Sequence, residues 1–180
     1  KIREVVAENY NLRNVLHPVC VAIVVDGDGS AVPLSNGIDD NFFANDGQIT
    51  KSPIRALTLS ALAPKYGQHL WDLGAGSGSV SIEWLLSDKS LRATAVEQDS
   101  SRCAIIKQNV KDLGLDSLSI LNGSSLELIS TLRPPNAVFI GGGLTKELMK
   151  KLWMIIPTKT RLVANSVTIE SEMILQNAFS

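Results

Sequence analysis

Three glycines at alternate positions, Gly74, Gly76 and Gly78, follow an acid, Asp72, two residues before the first of them. Residues this small leave one side of a backbone bare, so a ligand can approach its N–H groups with no Cβ in the way. Apolar Leu70, Trp71 and Leu73 precede the turn, and a helix predicted from about Ser79 through Leu86 follows it. The N-terminal dipole of that helix points at the same spot. This is the pattern of a nucleotide-type site at the carboxyl end of a first strand. A dinucleotide fingerprint, Gly-x-Gly-x-x-Gly, would place its third glycine where Ser79 stands. Here that glycine comes one residue early, and Asp72 would repel a pyrophosphate. A ligand bearing positive charge suits the acid better.

Further chemistry-bearing residues fall at the ends of later predicted strands: Glu97, then Gly123-Ser124-Ser125, Gly141-Gly142-Gly143 and Asn165-Ser166. A carboxylate at Glu97 can accept both hydroxyls of a ribose, with Ser124 or Ser125 at the adenine edge. The spacing Asp-x-Gly-x-Gly-x-Gly resembles the first motif of class I S-adenosylmethionine (SAM)-dependent methyltransferases. SAM carries an ammonium and a sulfonium and no phosphate, which is what Asp72 favours.

The elements that must position these residues alternate. A helix over Ser52–Leu62 is predicted, with Ser52 as N-cap, Pro53 at the first helical position, and Ile54, Leu57, Thr58, Ala61 and Leu62 as its apolar face. Strands follow at His69–Leu73, Ala93–Glu97, Ser117–Leu121, Ala137–Ile140 and Thr160–Ala164. Between them run a helix capped by Asp99 and carrying Cys103, Ile106, Val110 and Leu113 inward, a capping box of Ser124 with Glu127, and a helix capped by Thr145. A last helix starts near Thr168, with Ile169, Met173 and Ile174 apolar. The alternation implies a parallel sheet with helices on both faces. Before all this, Val19–Val25 reads as a β-rich apolar run with His17 in a surface turn, and Phe42-Phe43 as either a hydrophobic anchor or a lid, the anchor being favoured.

Composition narrows the function. A formal net charge of −1 offers no basic bias toward nucleic acid or an anionic membrane. No apolar run approaches the roughly 20 residues of a membrane span. The two cysteines, Cys20 and Cys103, have no metal-like spacing and read as buried free thiols in a reducing cytoplasm. No metal site is expected. Methylation of exocyclic amines of bases is disfavoured, because the loop after the fourth strand reads Ile-Gly-Gly-Gly where such enzymes carry Asp/Asn-Pro-Pro-aromatic. Pro134-Pro135-Asn136 lies before that strand instead.

Four blocks taken together, Asp46–Lys51, Asp72–Gly78, Ala137–Gly143 and Leu162–Thr168, resemble the decarboxylating precorrin methyltransferases of cobalamin biosynthesis, in their C-terminal module. The likeness runs from about residue 38 to the end. It implies an α/β class I SAM-dependent methyltransferase fold, Rossmann-like with a mostly parallel sheet. It also implies SAM as cofactor, a tetrapyrrole substrate, and methylation of carbon 15 coupled to decarboxylation of an acetate side chain. Carried over, the residues that contact SAM are Thr50, Gly74, Ala75, Gly76, Ser77, Gly78, Glu97 and Ser125, to which the charge argument adds Asp72; the family usually has Gly-Asp-Ala where this chain has Gly123-Ser124-Ser125. Lys51, Gly142, Asn165 and Ser166 are candidates for the substrate, and Lys51, Arg55, Lys146 and Lys150 could hold its carboxylates. No catalytic base is singled out.

A class I sheet has seven strands, whereas five are legible here, so the resemblance leads us to expect the last two to be missing and Thr160–Ala164 to be an uncovered edge. Leu16–Ile23 resembles the closing strand of a preceding methyltransferase module. Residues 1–37 then form an arm or a remnant of that module, and residues 38–180 the SAM-dependent domain. A homo-oligomer stays open. So do a SAM- or nucleotide-binding module without its own catalysis, and a methyltransferase for another small molecule.

Overall fold

The computed structural model describes residues 4–11, 13, 20–27, 29 and 31–178. Five short strands, β1 (His69–Leu73), β2 (Arg92–Glu97), β3 (Leu118–Asn122), β4 (Ala137–Ile140) and β5 (Arg161–Ala164), pair in the order β3-β2-β1-β4-β5. Every pairing is parallel, with Leu73 beside Val96 on one side and Ile140 on the other. The central strands β1 and β4 are buried along almost their whole length, as a sheet covered on both faces requires.

The helices divide between the faces. On one side, α1 (Ser52–Leu62), α2 (Ser79–Ser87) and α3 (Ser100–Asp112) pack Leu59, Leu62, Val80, Trp84, Ile82 and Ile106 inward. On the other, α4 (Ser125–Leu128), α5 (Lys146–Ile155) and α6 (Ile169–Ala178) cover Trp71, Leu73, Val138 and Ile140 with Leu148, Met149 and Leu152. Ile174 joins that cluster, whereas Ile169 and Met173 are exposed. Strand β5 is one of the two sheet edges, with β3 the other, and is half-buried. Among the described residues no helix is long and apolar enough to cross a membrane.

Several expectations are corrected. Helix α1 is capped by Lys51, so Ser52 lies inside it and donates its hydroxyl to Gly37 O at 2.6 Å. Ile54 and Leu57 are exposed; the buried stripe is Arg55, Thr58, Leu59 and Leu62. The Ser124–Glu127 box does not form: no side chain caps α4, which is only one turn long. Cys20 is exposed, not buried. His17 and Val19 lie outside the described residues, and Cys20–Val25 forms no strand. A strand exists by pairing, and Val21, Ile23, Val24 and Val25 are each at least two-thirds exposed. By compactness the chain divides into Lys1–Ala31 and Val32–Ser180. In the first unit the regular element among the described residues is a helical turn at Ala7–Asn9.

Phe43 is the anchor, 3% exposed against Ile38 and Ile82, with the Arg55 guanidinium 4.7 Å from its ring centroid. Arg55 is not a cation at a binding mouth: it is fully buried. Its Nε donates to Glu83 Oε1 at 2.5 Å, one terminal nitrogen to Asp40 (3.1 Å) and to Thr50 O, and the other to Ile38 O at 2.5 Å. Glu83, 2% exposed on α2, also accepts the N–H groups of Gly37 and Ile38 at 2.6 and 3.0 Å. The pair thus staples the segment before α1 onto two helices. Removing one partner of such a pair strands a buried charge, so Arg55→Met or Glu83→Gln should each destabilise the fold by about 3–5 kcal/mol. The double replacement Arg55→Met/Glu83→Met should cost clearly less than the sum. Urea unfolding of the three variants checks this, and single losses below about 1 kcal/mol would show that the pair holds nothing.

Candidate functional site

In an open parallel sheet the ligand crevice opens beyond the carboxyl ends of the strands, where the chain order reverses. Here that point lies between β1 and β4, because β2 and β3 extend the sheet to one side and β4 and β5 to the other. A cavity of about 860 Å³ occupies it, a size that suits a nucleotide-sized ligand with room beside it. Its walls are the loop after β1 (Gly74, Ala75, Gly76), the end of β2 (Glu97, Gln98), Gly123–Leu126, Gly141–Gly143, and Asn165 with Val167. Residues 47–51, with Ile54 and Arg102, close it from the side of α1 and α3.

Of the residues singled out from sequence, Thr50, Gly74, Ala75, Gly76, Glu97 and Ser125 line this cavity, as do Lys51, Gly142 and Asn165. Asp72, Ser77 and Gly78 are buried and do not line it, and Ser166 is exposed outside it. Lys146 and Lys150 are exposed and off the wall.

The glycine loop is built differently from a bare cradle of N–H groups. Gly74 N and Ala75 N both donate to Val96 O, Gly78 N to Ala75 O, and Gly76 N to Glu97 Oε2 at 2.8 Å. The sides freed by the missing Cβ atoms face protein. At Gly74 a Cβ would sit 2.5 Å from Gly142 O, so this glycine lets the β1 and β4 loops touch. At Gly78 it would sit 2.8 Å from Ile106 of α3. The start of α2 is likewise taken: Ser81 donates its N–H at 3.1 Å and its hydroxyl at 2.6 Å to Asp72 Oδ2. Asp72 therefore meets the positive end of α2 from strand β1.

Two acids shape the electrostatics. Glu97, 6% exposed, accepts from Gly76 N and from Asp99 N at 3.0 Å, which ties the glycine loop to the start of α3. Carboxylate lone pairs remain for the cavity. Asp72 is fully buried and its Oδ1 has no partner. Burial pushes its pKa up to about 6, the Ser81 hydrogen bonds oppose this, and the neighbouring Glu97 charge adds to it. Burial also raises the Cys103 thiol, and lowers His69, which stands at the amino end of β1 with Nε2 2.9 Å from Thr94 Oγ1. Neither lines the cavity.

The segment 44–51 was legible only in part. Asp46 pairs with Arg102 Nε at 2.8 Å across the rim, and that hydrogen bond holds the Asp46 carboxyl below its usual range. Lys51 lies 3.4 Å from Asp40. On the opposite wall, Asn165 Nδ2 donates to Thr58 Oγ1 of α1 at 3.1 Å. Arg102 and Gln98 were not singled out from sequence. Their one signal was position, close after Glu97 in the chain.

The Asp72 shift has a checkable sign. Below about pH 4 the carboxyl is protonated in both folded and unfolded chains. As pH rises through about 6, only the folded chain must ionise a buried group, and stability contributed by the raised pKa is lost. Relative to the native protein, Asp72→Asn should therefore gain about 3 kcal/mol between pH 4 and pH 8. Urea unfolding at the two pH values measures it; an unchanged difference would show that Asp72 is not perturbed.

Comparison with known proteins agrees with this geometry. The family model described as a precorrin methyltransferase domain matches residues 41–180. A precorrin-6Y C(5,15)-methyltransferase (decarboxylating) of Sinorhizobium sp is 42% identical over 165 residues, covering 89% of this chain. The chain spans only 40% of that relative's length. A protein of Saccharolobus solfataricus named probable cobalt-precorrin-6B C(15)-methyltransferase (decarboxylating) is 33% identical over 151 residues, 80% of this chain and 74% of that one. Among solved structures, the C-terminal domain of precorrin-6Y C5,15-methyltransferase from Rhodobacter capsulatus superposes with a TM-score of 0.77 at 45% identity, covering 81% of this chain and 78% of that domain. The architecture is that of the class I SAM-dependent methyltransferases. With the strand order, the glycine loop and the family match in agreement, the chain belongs to the precorrin methyltransferase domain family.

Proposed function

We propose that the chain binds SAM across the tips of β1 and β2 and methylates carbon 15 of a precorrin, coupled to loss of carbon dioxide from an acetate side chain. The observation that carries the choice of cofactor is the commitment of the glycine loop. Four of its N–H groups, and the hydroxyl and N–H of Ser81, already donate to protein oxygens. Two of those acceptors are the carboxylates of Asp72 and Glu97. A diphosphate would find those donors spent and two acids nearby, whereas a ribose diol with a cationic centre fits. The residues that would hold SAM are Thr50, Gly74, Ala75, Gly76, Glu97 and Ser125, with Asp72 acting from behind the wall.

Bound there, SAM supplies an electrophilic methyl group. The chain's part is alignment, since transfer to carbon is an in-line displacement. Glu97 fixes one end by accepting ribose hydroxyls. Gly141–Gly143 present backbone with no side chain at the switch point, which leaves room for a broad flat acceptor. Lys51, Gly142 and Asn165 are the groups on the wall suited to its carboxylates and pyrrole edge. Among the described residues no histidine or cysteine lines the cavity. That suits an acceptor whose own conjugated enamine is the nucleophile and whose macrocycle takes up the electrons left by decarboxylation. The Saccharolobus solfataricus relative, of which this chain covers 74%, carries carbon 15 and decarboxylation in its name, and this supports the assignment.

Residues 1–37 we read as the end of a preceding methyltransferase module. An alignment over 89% of the chain is longer than residues 41–180 and so reaches into this segment, and it is made with a relative more than twice as long as the match.

Calorimetric titration with SAM should show binding that Glu97→Ala weakens by about 1–3 kcal/mol. Supplied with SAM and the matching precorrin, the protein should yield a product heavier by one methylene and lighter by one carbon dioxide. Binding of SAM with neither mass change, and methylation of another acceptor class instead, would sink the tetrapyrrole assignment. Equal SAM affinity in the native protein and Glu97→Ala would sink the site.

A further inference from the structure

Two backbone segments from distant parts of the chain meet beside the cavity. One is the strap 44–51, which brings Gln48, Thr50 and Lys51 to the wall; the other is the glycine loop. They abut closely, since a Cβ on Gly76 would lie 3.1 Å from Gln48 O. Behind them stands Asn109 of α3, 1% exposed. Its Nδ2 donates to Ser77 O of the loop and to Ala44 O of the strap, both at 2.9 Å, and its Oδ1 accepts the Ala44 N–H at 2.8 Å. Both amide hydrogens and the carbonyl are used. The orientation of the carboxamide is dictated, because two carbonyls need donors and one N–H needs an acceptor. Among the described residues Asn109 is the one side chain that hydrogen-bonds to both segments.

We propose that Asn109 is a positioning residue for methyl transfer: its carboxamide sets the separation of strap and glycine loop, and so the affinity for SAM, without touching the ligand. The inference rests on the SAM reading above. Asn109→Asp keeps an acceptor for Ala44 N–H but turns an anion toward two carbonyl oxygens. Asn109→Ala deletes all three bonds and adds no charge, and it carries the test if the aspartate variant does not fold. Ile155→Ala, on a partly buried apolar side chain of α5 on the other face of the sheet, is the control for lost packing.

In calorimetry SAM should bind Asn109→Ala and Asn109→Asp about tenfold more weakly than the native protein. Amide hydrogen exchange in the ligand-free protein should quicken in 44–51 and 75–78. With saturating SAM, kcat should stay within about threefold while KM for SAM rises about tenfold. Ile155→Ala should lower the melting temperature and leave affinity and strap exchange unchanged. Native-like SAM affinity in a folded Asn109→Ala overturns the proposal, whether or not exchange quickens, because faster exchange alone marks a structural bond. An equal loss of affinity in Ile155→Ala overturns it too. Failure of the native protein to bind SAM is a different result: it overturns the cofactor reading, and with it any role for Asn109 toward that cofactor.

Discussion

The buried pair of Arg55 and Glu83 is the constraint on which the rest of the site hangs. Two desolvated charges are expensive to bury, several kcal/mol per ion, and attraction alone does not reliably offset that. Here the cost is met by satisfaction: Glu83 takes two backbone N–H groups besides the guanidinium, and Arg55 reaches two carbonyls and Asp40 as well. Every one of those extra partners belongs to 37–50, the segment ahead of α1. The pair therefore works less as a bond between α1 and α2 than as a template for a stretch with no regular structure beyond one helical turn at Asp40–Phe42. That template sets the path of the chain into the strap, which Asn109 and Arg102 then hold beside the glycine loop and α3.

From this seat the site assembles as a chain of shared acceptors. Asp72 accepts from the start of α2, Glu97 from the glycine loop and the start of α3, and Asn122 donates to Glu97 O and Gln98 O. Gly74 brings the loops of β1 and β4 to backbone contact. Rigid strands fix where each of these groups begins, and the loops inherit that precision through the hydrogen bonds that tie them to the strand ends.

The fold was largely legible because its signals are local. Period and punctuation placed β1 and β4 to the residue and α3 from the Asp99 cap, whose carboxylate takes the N–H groups of Ser101 and Arg102. The site was legible where chemistry sits at strand ends: Glu97, Gly76, Ser125 and Asn165 all reach the cavity. What stayed hidden was long-range. Arg55 lies on one helical stripe with Thr58, Leu59 and Leu62, and Glu83 interrupts a helix whose neighbours Ile82, Trp84 and Leu85 are buried. A charge on an apolar stripe is the available hint of a buried pair, yet nothing local says which two charges meet. Asn109 gave still less, since an asparagine in a polar helix reads as solvated until the strap is known to cross it. The glycine loop misled differently. Its type was evident, but the bare sides of Gly74 and Gly78 face Gly142 and Ile106, and four of its N–H groups donate to protein oxygens.

The strand order also explains how one cavity can serve a cationic donor and a polyanionic acceptor, as the proposed reaction demands. Glu97 ends β2 and Asn165 follows β5, with β1 and β4 between them. Three strand spacings put the two tips about 14 Å apart. The acidic wall, Glu97 with Asp72 behind it, is thus well separated from the β4–β5 wall, where Gly141–Gly143 and Asn165 add no negative side chain. The cations on the lining, Lys51 and Arg102, each stand beside an acid of the segment ahead of α1, Asp40 and Asp46. Both pairs are partly solvent-exposed, so each is worth little and exchanges readily. A substrate carboxylate that takes the place of Asp40 at Lys51 swaps one ion pair for another at small net cost, while the donor's charge remains at the other end of the cavity.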